Sequence, residues 1–133
     1  MPTAYNHIKI GAFSNQWERV VMRYDFAKDG GAVGVINLAQ VKEAMVLHLA
    51  DTKVKTAVVS GGAATVEIGV AGGPTAAVLP ATLQAGLTAP KSIAGDAASR
   101  ALYLAADSQL ALEIKVAALT AGVIEVVGYF SKF

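Results

Sequence analysis

The segment that decides the fold is residues 109–119, which read QLALEIKVAAL. Its apolar and other side chains alternate, with Leu110, Leu112, Ile114 and Val116 set against Ala111, Glu113, Lys115 and Ala117. A period of two is typical of a β-strand with one buried face, because successive side chains point to opposite sides of a sheet. The segment therefore predicts a central strand that buries Leu112 and Ile114 and turns Glu113 outward.

The same alternation recurs in three further segments, residues 17–26, 65–70 and 123–130. Their predicted inward residues are Val20, Met22, Tyr24, Phe26, Val66, Ile68, Val70, Ile124, Val126, Gly128 and Phe130. Shorter candidate strands cover residues 7–13, 32–38, 45–50, 53–59 and 101–105. Together these segments predict eight or nine strands.

Turn residues separate the candidate strands. The pair Asp29-Gly30 predicts a hairpin between two strands. Two more predicted turns are Ser60-Gly61-Gly62 and Thr120-Ala121-Gly122. Turns about every 8–12 residues are typical of a sandwich or barrel and not of βαβ units. We therefore predict an all-β fold, an antiparallel, jelly-roll-like β-sandwich, as a single domain over residues 1–133.

Two regions leave their secondary structure open. Residues 37–51 carry apolar side chains three or four apart, which allows a helix, but we favour a loop at 39–43 followed by a strand. Residues 72–99 contain Pro74, Pro80 and Pro90 and few charges, which predicts a long loop with one helical turn at 81–85. Residues 1–6 are expected to be flexible.

Composition limits the possible partners. Of the 133 residues, 54% are hydrophobic and only 16% charged, against about 25% charged in ordinary soluble domains. A small domain with so few charges has apolar surface to bury, so we expect a homodimer or homotrimer. The 11 basic and 10 acidic residues are scattered, which argues against nucleic acid, since that partner needs a concentrated basic face.

A membrane partner is not expected either. A spanning helix needs about 20 predominantly apolar residues, and glycines and prolines interrupt the least charged stretch, residues 56–90. The first residues lack the basic segment and apolar core of a signal peptide. The sequence thus predicts a protein that is neither exported nor inserted into a bilayer.

Catalytic and metal-binding motifs are lacking in the sequence. There is no cysteine and there are two histidines. The spacing of His48 and Asp51 suits a metal on a helix, but on a strand the two would face opposite sides. Ser60 lacks the Gly-x-Ser-x-Gly elbow and is interpreted as a turn serine. We predict no enzyme: no catalytic residue, no cofactor-binding residue, no metal ligand and no cofactor.

The other polar and aromatic side chains have structural interpretations. Glu67, Glu113 and Glu125 fall at outward strand positions, as expected for a solvated face or an intersubunit salt bridge. The glycine clusters at 30–34 and 69–73 match neither Gly-x-Gly-x-x-Gly nor a P-loop and are predicted turns. Most aromatic residues lie in predicted strands, where they would serve as core or interface anchors. They are Trp17, Tyr24, Phe26, Tyr103, Tyr129 and Phe130.

Four segments of the chain stand out together: Tyr24-Asp25-Phe26, then DGGAVGVINL at 29–38, ATVEIGV at 64–70 and the ending 111–130 with its turn at 119–122. These segments, the ending most strongly, resemble small head proteins of tailed bacteriophages. The resemblance covers residues 17–70 and 101–130. Such proteins are decoration, or cement, proteins of the capsid and are often jelly-roll sandwiches.

The resemblance implies a virion protein, made in the host cytoplasm, that lies on the capsid surface. There it would bind the major capsid protein and itself, and bridge capsid subunits so that the shell is stabilised. A phage tail, head-fibre or receptor-binding β-module is the alternative within the structural class. A small carbohydrate-binding or cupin-like β-sandwich is the alternative from another class.

Overall fold

The computed structural model describes residues 8–10, 17–95 and 100–133, so the prediction for residues 1–6 lies outside the described part. The described residues form ten strands, one short helix and one 3-10 turn. In chain order these are β1 (Ile8–Ile10), β2 (Glu18–Asp25), α1 (Phe26–Asp29), β3 (Gly34–Val41), β4 (Met45–Ser60), β5 (Thr65–Val70), β6 (Leu79–Leu83), the 3-10 turn (Gln84–Gly86), β7 (Lys91–Ala94), β8 (Leu102–Leu104), β9 (Gln109–Lys115) and β10 (Leu119–Lys132).

The strands form two sheets. The front sheet has the order β2-β10-β4, with β7 and β8 both paired to the far side of β4, and the back sheet has the order β1-β3-β9-β5-β6. If β1 is set aside and β7 and β8 are treated as one interrupted strand, the antiparallel pairs are nested: β2 with β10, β3 with β9, β4 with β7 and β8, and β5 with β6. Nested pairing of eight strands is the jelly-roll topology, so the predicted fold class is confirmed.

The core lies between the two sheets and matches the alternation in the sequence. Leu112 and Ile114 are fully buried on β9, as predicted. The predicted inward residues of β5 and β10 are buried as well, whereas Val20 and Phe26 pack at the margin of the core. The prediction for Val116 is wrong: it is 75% exposed, because β9 ends at Lys115 and the chain turns through a positive φ of 77° at Val116.

Three predicted turns have other roles in the fold. The Asp29-Gly30 pair does not close a hairpin: Asp29 ends α1, and the chain crosses there from β2 in the front sheet to β3 in the back sheet. Residues 60–62 likewise cross between sheets, from β4 to β5. Residues 120–122 lie inside β10, where the pairing with β4 is irregular. Turn chemistry is local, whereas the sheet that receives the next strand is decided by packing.

The regions left open are extended. Residues 37–51 contain the end of β3, a short turn at 42–44 in place of the predicted loop at 39–43, and the start of β4. The helix alternative is therefore excluded. The segments 45–50 and 53–59 are parts of one strand, β4. The predicted loop 72–99 contains β6 and β7, and its helical turn is at Gln84–Gly86 instead of 81–85. Pro80 is tolerated in β6 because β6 is an edge strand, where a missing backbone N–H costs little.

Candidate interaction face

Three exposed aromatic residues and an exposed leucine occupy one end of the outer face of the front sheet. They are Trp17 (57% exposed), Tyr103 (52%), Phe133 (77%) and Leu49 (37%). Trp17 immediately precedes β2, Tyr103 lies on β8, Leu49 on β4, and Phe133 follows β10. These four residues, with His48, are called the aromatic face below. No pattern in the sequence groups them, because four separate segments contribute to it.

Ring contacts hold the aromatic face in place. The Trp17 indole stacks on the His48 imidazole, with ring centroids 4.0 Å apart and an interplanar angle of 15°. His48 Nε2 lies 2.6 Å from Ser131 Oγ, a hydrogen bond that fixes the imidazole. Tyr103 and Phe133 meet edge to face at 4.8 Å. Since these rings are already ordered, a partner that binds them loses little side-chain entropy on association.

A β-bulge in β4 brings His48 to this face. Leu47 pairs with Phe130 and Leu49 pairs with Tyr129, so His48 is an extra residue on β4. The extra residue shifts the alternation by one position, and His48 and Asp51 therefore share the outer face. The prediction that they face opposite sides is wrong for this reason. Among the residues that the structure describes, no cluster of three or more His, Cys, Asp or Glu is placed to hold a metal.

The other end of the same outer face is charged. Arg23 Nη1 donates to Glu125 Oε2 at 2.7 Å, and Lys55 Nζ lies 3.9 Å from the other Glu125 oxygen. Glu125 thus points outward, as predicted, and its ion pairs are within the chain. Such exposed pairs contribute about 0–1 kcal/mol each, so this end adds little to the stability of the fold.

Glu67 is buried, which corrects the prediction of a solvated position. Its side chain is only 5% exposed, and its carboxylate pairs with Lys115 Nζ at 3.2 Å. A hydrogen bond from Thr75 and the ion pair with Lys115 lower the pKa of Glu67, and burial opposes them. Residues 74 and 75 reach the sheet because Gly69 has no side chain: a Cβ there would overlap the Pro74 carbonyl oxygen and meet Thr75.

The charge on Glu67 should make stability depend on pH. A carboxyl whose pKa is lower in the folded state stabilises the fold above its unfolded pKa of about 4.3, and this contribution is lost as the pH falls through the folded value. We expect Glu67→Gln to melt below the wild type at pH 7, and the gap to shrink progressively below about pH 4. Thermal melts from pH 7 to pH 2 measure it. Glu18→Gln, the same change at an exposed site, should leave a small gap at every pH; a constant Glu67→Gln gap would contradict this assignment.

Ser60, Tyr24 and the glycine clusters have structural roles. Ser60 Oγ donates to the Ala118 carbonyl at 2.6 Å and accepts from Gly62 N–H at 3.1 Å, as expected for a turn serine. The buried Tyr24 hydroxyl donates to the Gly30 carbonyl at 2.7 Å, and burial with nearby Asp29 raises the Tyr24 pKa. Gly30, Gly72 and Gly73 adopt positive φ, as expected of turns, whereas Gly34 begins β3 and Gly69 lies inside β5, so the predicted turns cover only part of each cluster. No helix in the described part of the chain is long and apolar enough to cross a membrane.

The same fold occurs in two phage capsids. A chain from the capsid of Ralstonia phage GP4 superposes with a TM-score of 0.66 and 14% identity, over 96% of this chain and 98% of that one. A chain from the capsid asymmetric unit of cyanophage Pam1 superposes with a TM-score of 0.58 and 12% identity, over 100% and 98%. At these identities the likeness shows a shared fold. No protein-family model matches the sequence, and no curated protein is similar to it.

Sequence reasoning identified the aromatic anchors but could not sort them. Tyr24 and Phe130 are core residues, Trp17 and Tyr103 are exposed, and Tyr129 is half-buried. The one signal that could have separated them is position: Trp17 lies just before a strand, and Tyr103 lies on a three-residue strand between two turns. Phe133 lies beyond the last predicted strand, which ends at Phe130, and is not among the predicted anchors.

Proposed function

We propose that this protein is a non-enzymatic virion protein that binds the outside of a phage capsid and stabilises the shell by bridging major capsid protein subunits. One observation carries the proposal. Two chains of phage capsids share the fold over nearly their whole length and over nearly all of this chain. Chains that cover each other so fully are of similar size, so the likeness extends over nearly the whole of each solved chain.

The surface of the molecule supports a binding role. The aromatic face presents Trp17, Tyr103 and Phe133 to solvent, each more than half exposed. Tryptophan and tyrosine are enriched among the residues that dominate binding energy at protein interfaces. A chain with 16% charged residues also leaves few charges to be desolvated when such a face is covered.

Capsid stabilisation by this route needs only burial and hydrogen bonding. Covering apolar surface contributes roughly 25 cal/mol per Å², and a protein that contacts two capsid subunits adds this energy across the joint between them. The joint must then lose those contacts before it opens. The rigid jelly roll suits this task, because its face does not have to be ordered on binding.

The proposal is tested on shells assembled from the major capsid protein of the same phage and lacking this protein. We expect saturable binding in co-sedimentation and a higher temperature for disruption of the decorated shell. The double variant Trp17→Ala/Tyr103→Ala should bind at least about 30-fold more weakly, the loss expected for one hot-spot residue or more.

A control variant separates the aromatic face from general loss of apolar surface. Leu83, on β6 of the back sheet, is 55% exposed, and Leu83→Ala should bind as the wild type does. Equal binding by the wild type and the double variant would exclude the aromatic face as the docking surface. Failure of the wild type to bind these shells would overturn the proposed function itself.

A further inference from the structure

The free edges of the two sheets differ in how they are protected. The back sheet ends in β1, which has three residues, and in β6, which has five and contains Pro80. On the β4 side the front sheet ends in two short separate strands, β7 and β8. Short strands, prolines and interruptions are the usual means by which proteins block further strand pairing. All three of these edges are blunted.

The remaining edge, β2, is different. It is eight residues long, contains no proline, and in the described part of the chain pairs with β10 alone, in unbroken register from Glu18 to Asp25. No strand of the described residues pairs with the alternate backbone N–H and C=O groups on the far side of β2, and such groups can accept a further strand. A long regular edge of this kind accepts an added strand readily.

The outward side chains of β2 carry charges that are complementary to those of a second, antiparallel copy of β2. Its outward-facing residues are Arg19, Val21, Arg23 and Asp25, since Met22 and Tyr24 are buried. In an antiparallel pair centred on Met22, Arg19 lies opposite Asp25 of the partner subunit, twice per dimer. A pair centred on Val21 would place Arg19 opposite Arg23, and one centred on Arg23 would place two arginines together. Like charges directly opposite each other are destabilising, which disfavours the second and third registers. A pair centred on Tyr24 would set Arg23 opposite Asp25 but would join only residues 23–25 of each strand, so the register centred on Met22 is the longest that pairs opposite charges.

The charges of β2 are also available for such a pair. Among the described residues Arg19 forms no ion pair, whereas Arg23 is held by Glu125 at 2.7 Å. Asp25 accepts from Ala27 N–H as the cap of α1 and has Arg23 at 3.9 Å. The Asp25 side chain is 19% exposed, and its carboxylate retains oxygen lone pairs for a second cation.

We infer that two copies of this chain join through antiparallel β2–β2 pairing centred on Met22, which extends the two front sheets into one. The two-fold axis of such a pair is perpendicular to the sheet, so both outer faces lie on the same side. The dimer then presents two aromatic faces in one direction. In that respect the inference deepens the proposed function, because a dimer with two parallel faces can bridge two capsid subunits.

A double-mutant cycle tests the pairing in solution. Arg19→Asp places a carboxylate opposite Asp25 of the partner subunit and should raise the dimer dissociation constant about tenfold, as expected when two surface pairs turn repulsive. In an Asp25→Asn background, which keeps the capping oxygen, the same change should cost about threefold or less. Within one chain the two residues are six positions apart on a strand, about 20 Å, and charges at that distance are screened. An energetic coupling between Arg19 and Asp25 therefore indicates that the two residues meet across the contact between two subunits.

Sedimentation equilibrium of the wild type, the two single variants and the double variant gives the four dissociation constants. Lys91→Asp, a charge reversal on the exposed β7 edge, is the control and should leave the constant unchanged. A wild type that stays monomeric at high concentration, or an Arg19→Asp effect of equal size in both backgrounds, would overturn the pairing. A monomer that still binds capsid shells would overturn the pairing alone and leave the proposed function intact.

Discussion

Leu112→Ala is expected to lower the free energy of unfolding by about 2–5 kcal/mol. Leu112 is fully buried at the middle of β9, and its cross-strand partners are Ile36 on β3 and Ile68 on β5. With strands on both sides and the front sheet above, the surroundings of the lost side chain have little freedom to collapse into the cavity. The loss is a large part of a typical stability of about 5–15 kcal/mol, and chemical denaturation measures it.

The adjacent residue supplies the matched control. Glu113 is half-buried on the opposite face of β9 and lies directly across from Glu67. Glu113→Ala should change stability by about 0.5 kcal/mol or less, since it also removes a like charge near a buried carboxylate. If Leu112→Ala proved as harmless as Glu113→Ala, the burial of this face of β9 would be refuted.

Gly31→Ala is expected to cost about 1–3 kcal/mol through overpacking against backbone. The Gly31 carbonyl accepts the Leu119 N–H at 2.7 Å, which fastens the crossing between the sheets to the start of β10. A Cβ on Gly31 would overlap the Leu119 carbonyl oxygen and lie 2.9 Å from the Phe26 ring. Because the main obstacle is backbone, the chain cannot relieve the overlap by a rotamer change.

Gly61→Ala is the control for this substitution. Gly61 also lies in a crossing between the sheets, and a Cβ there would meet nothing within 4 Å. Thermal melts should place Gly61→Ala at or slightly above the wild type, because alanine reduces the entropy of the unfolded chain. A Gly31→Ala protein as stable as Gly61→Ala would show that the crossing does not pack against β10 as described.

The core strands could be predicted from the sequence because the alternation of apolar and polar residues that marks them is local. The alternation in residues 65–70, 109–115 and 123–130 follows from a sheet with one face in the core, and the burial of Val66, Leu112 and Ile124 agrees with it. The prediction of which side chains are buried fails where contacts from another segment, and not the alternation along the strand, decide the burial. Glu67 shows this: its outward position is covered by residues 74 and 75 of another segment.

The β-strand pattern, the absence of motifs for catalysis and the low charge density were therefore determined by the sequence alone, since each depends on residue type and on neighbours within a few positions. Only the tertiary structure decided the order of the strands in the two sheets and the two crossings between the sheets. It also decided the bulge at His48 and the position of Trp17, Tyr103 and Phe133 on one face. The physical reason is that backbone pairing and side-chain packing join segments far apart in the chain. A surface formed by four such segments produces no periodic pattern in the sequence of any one of them.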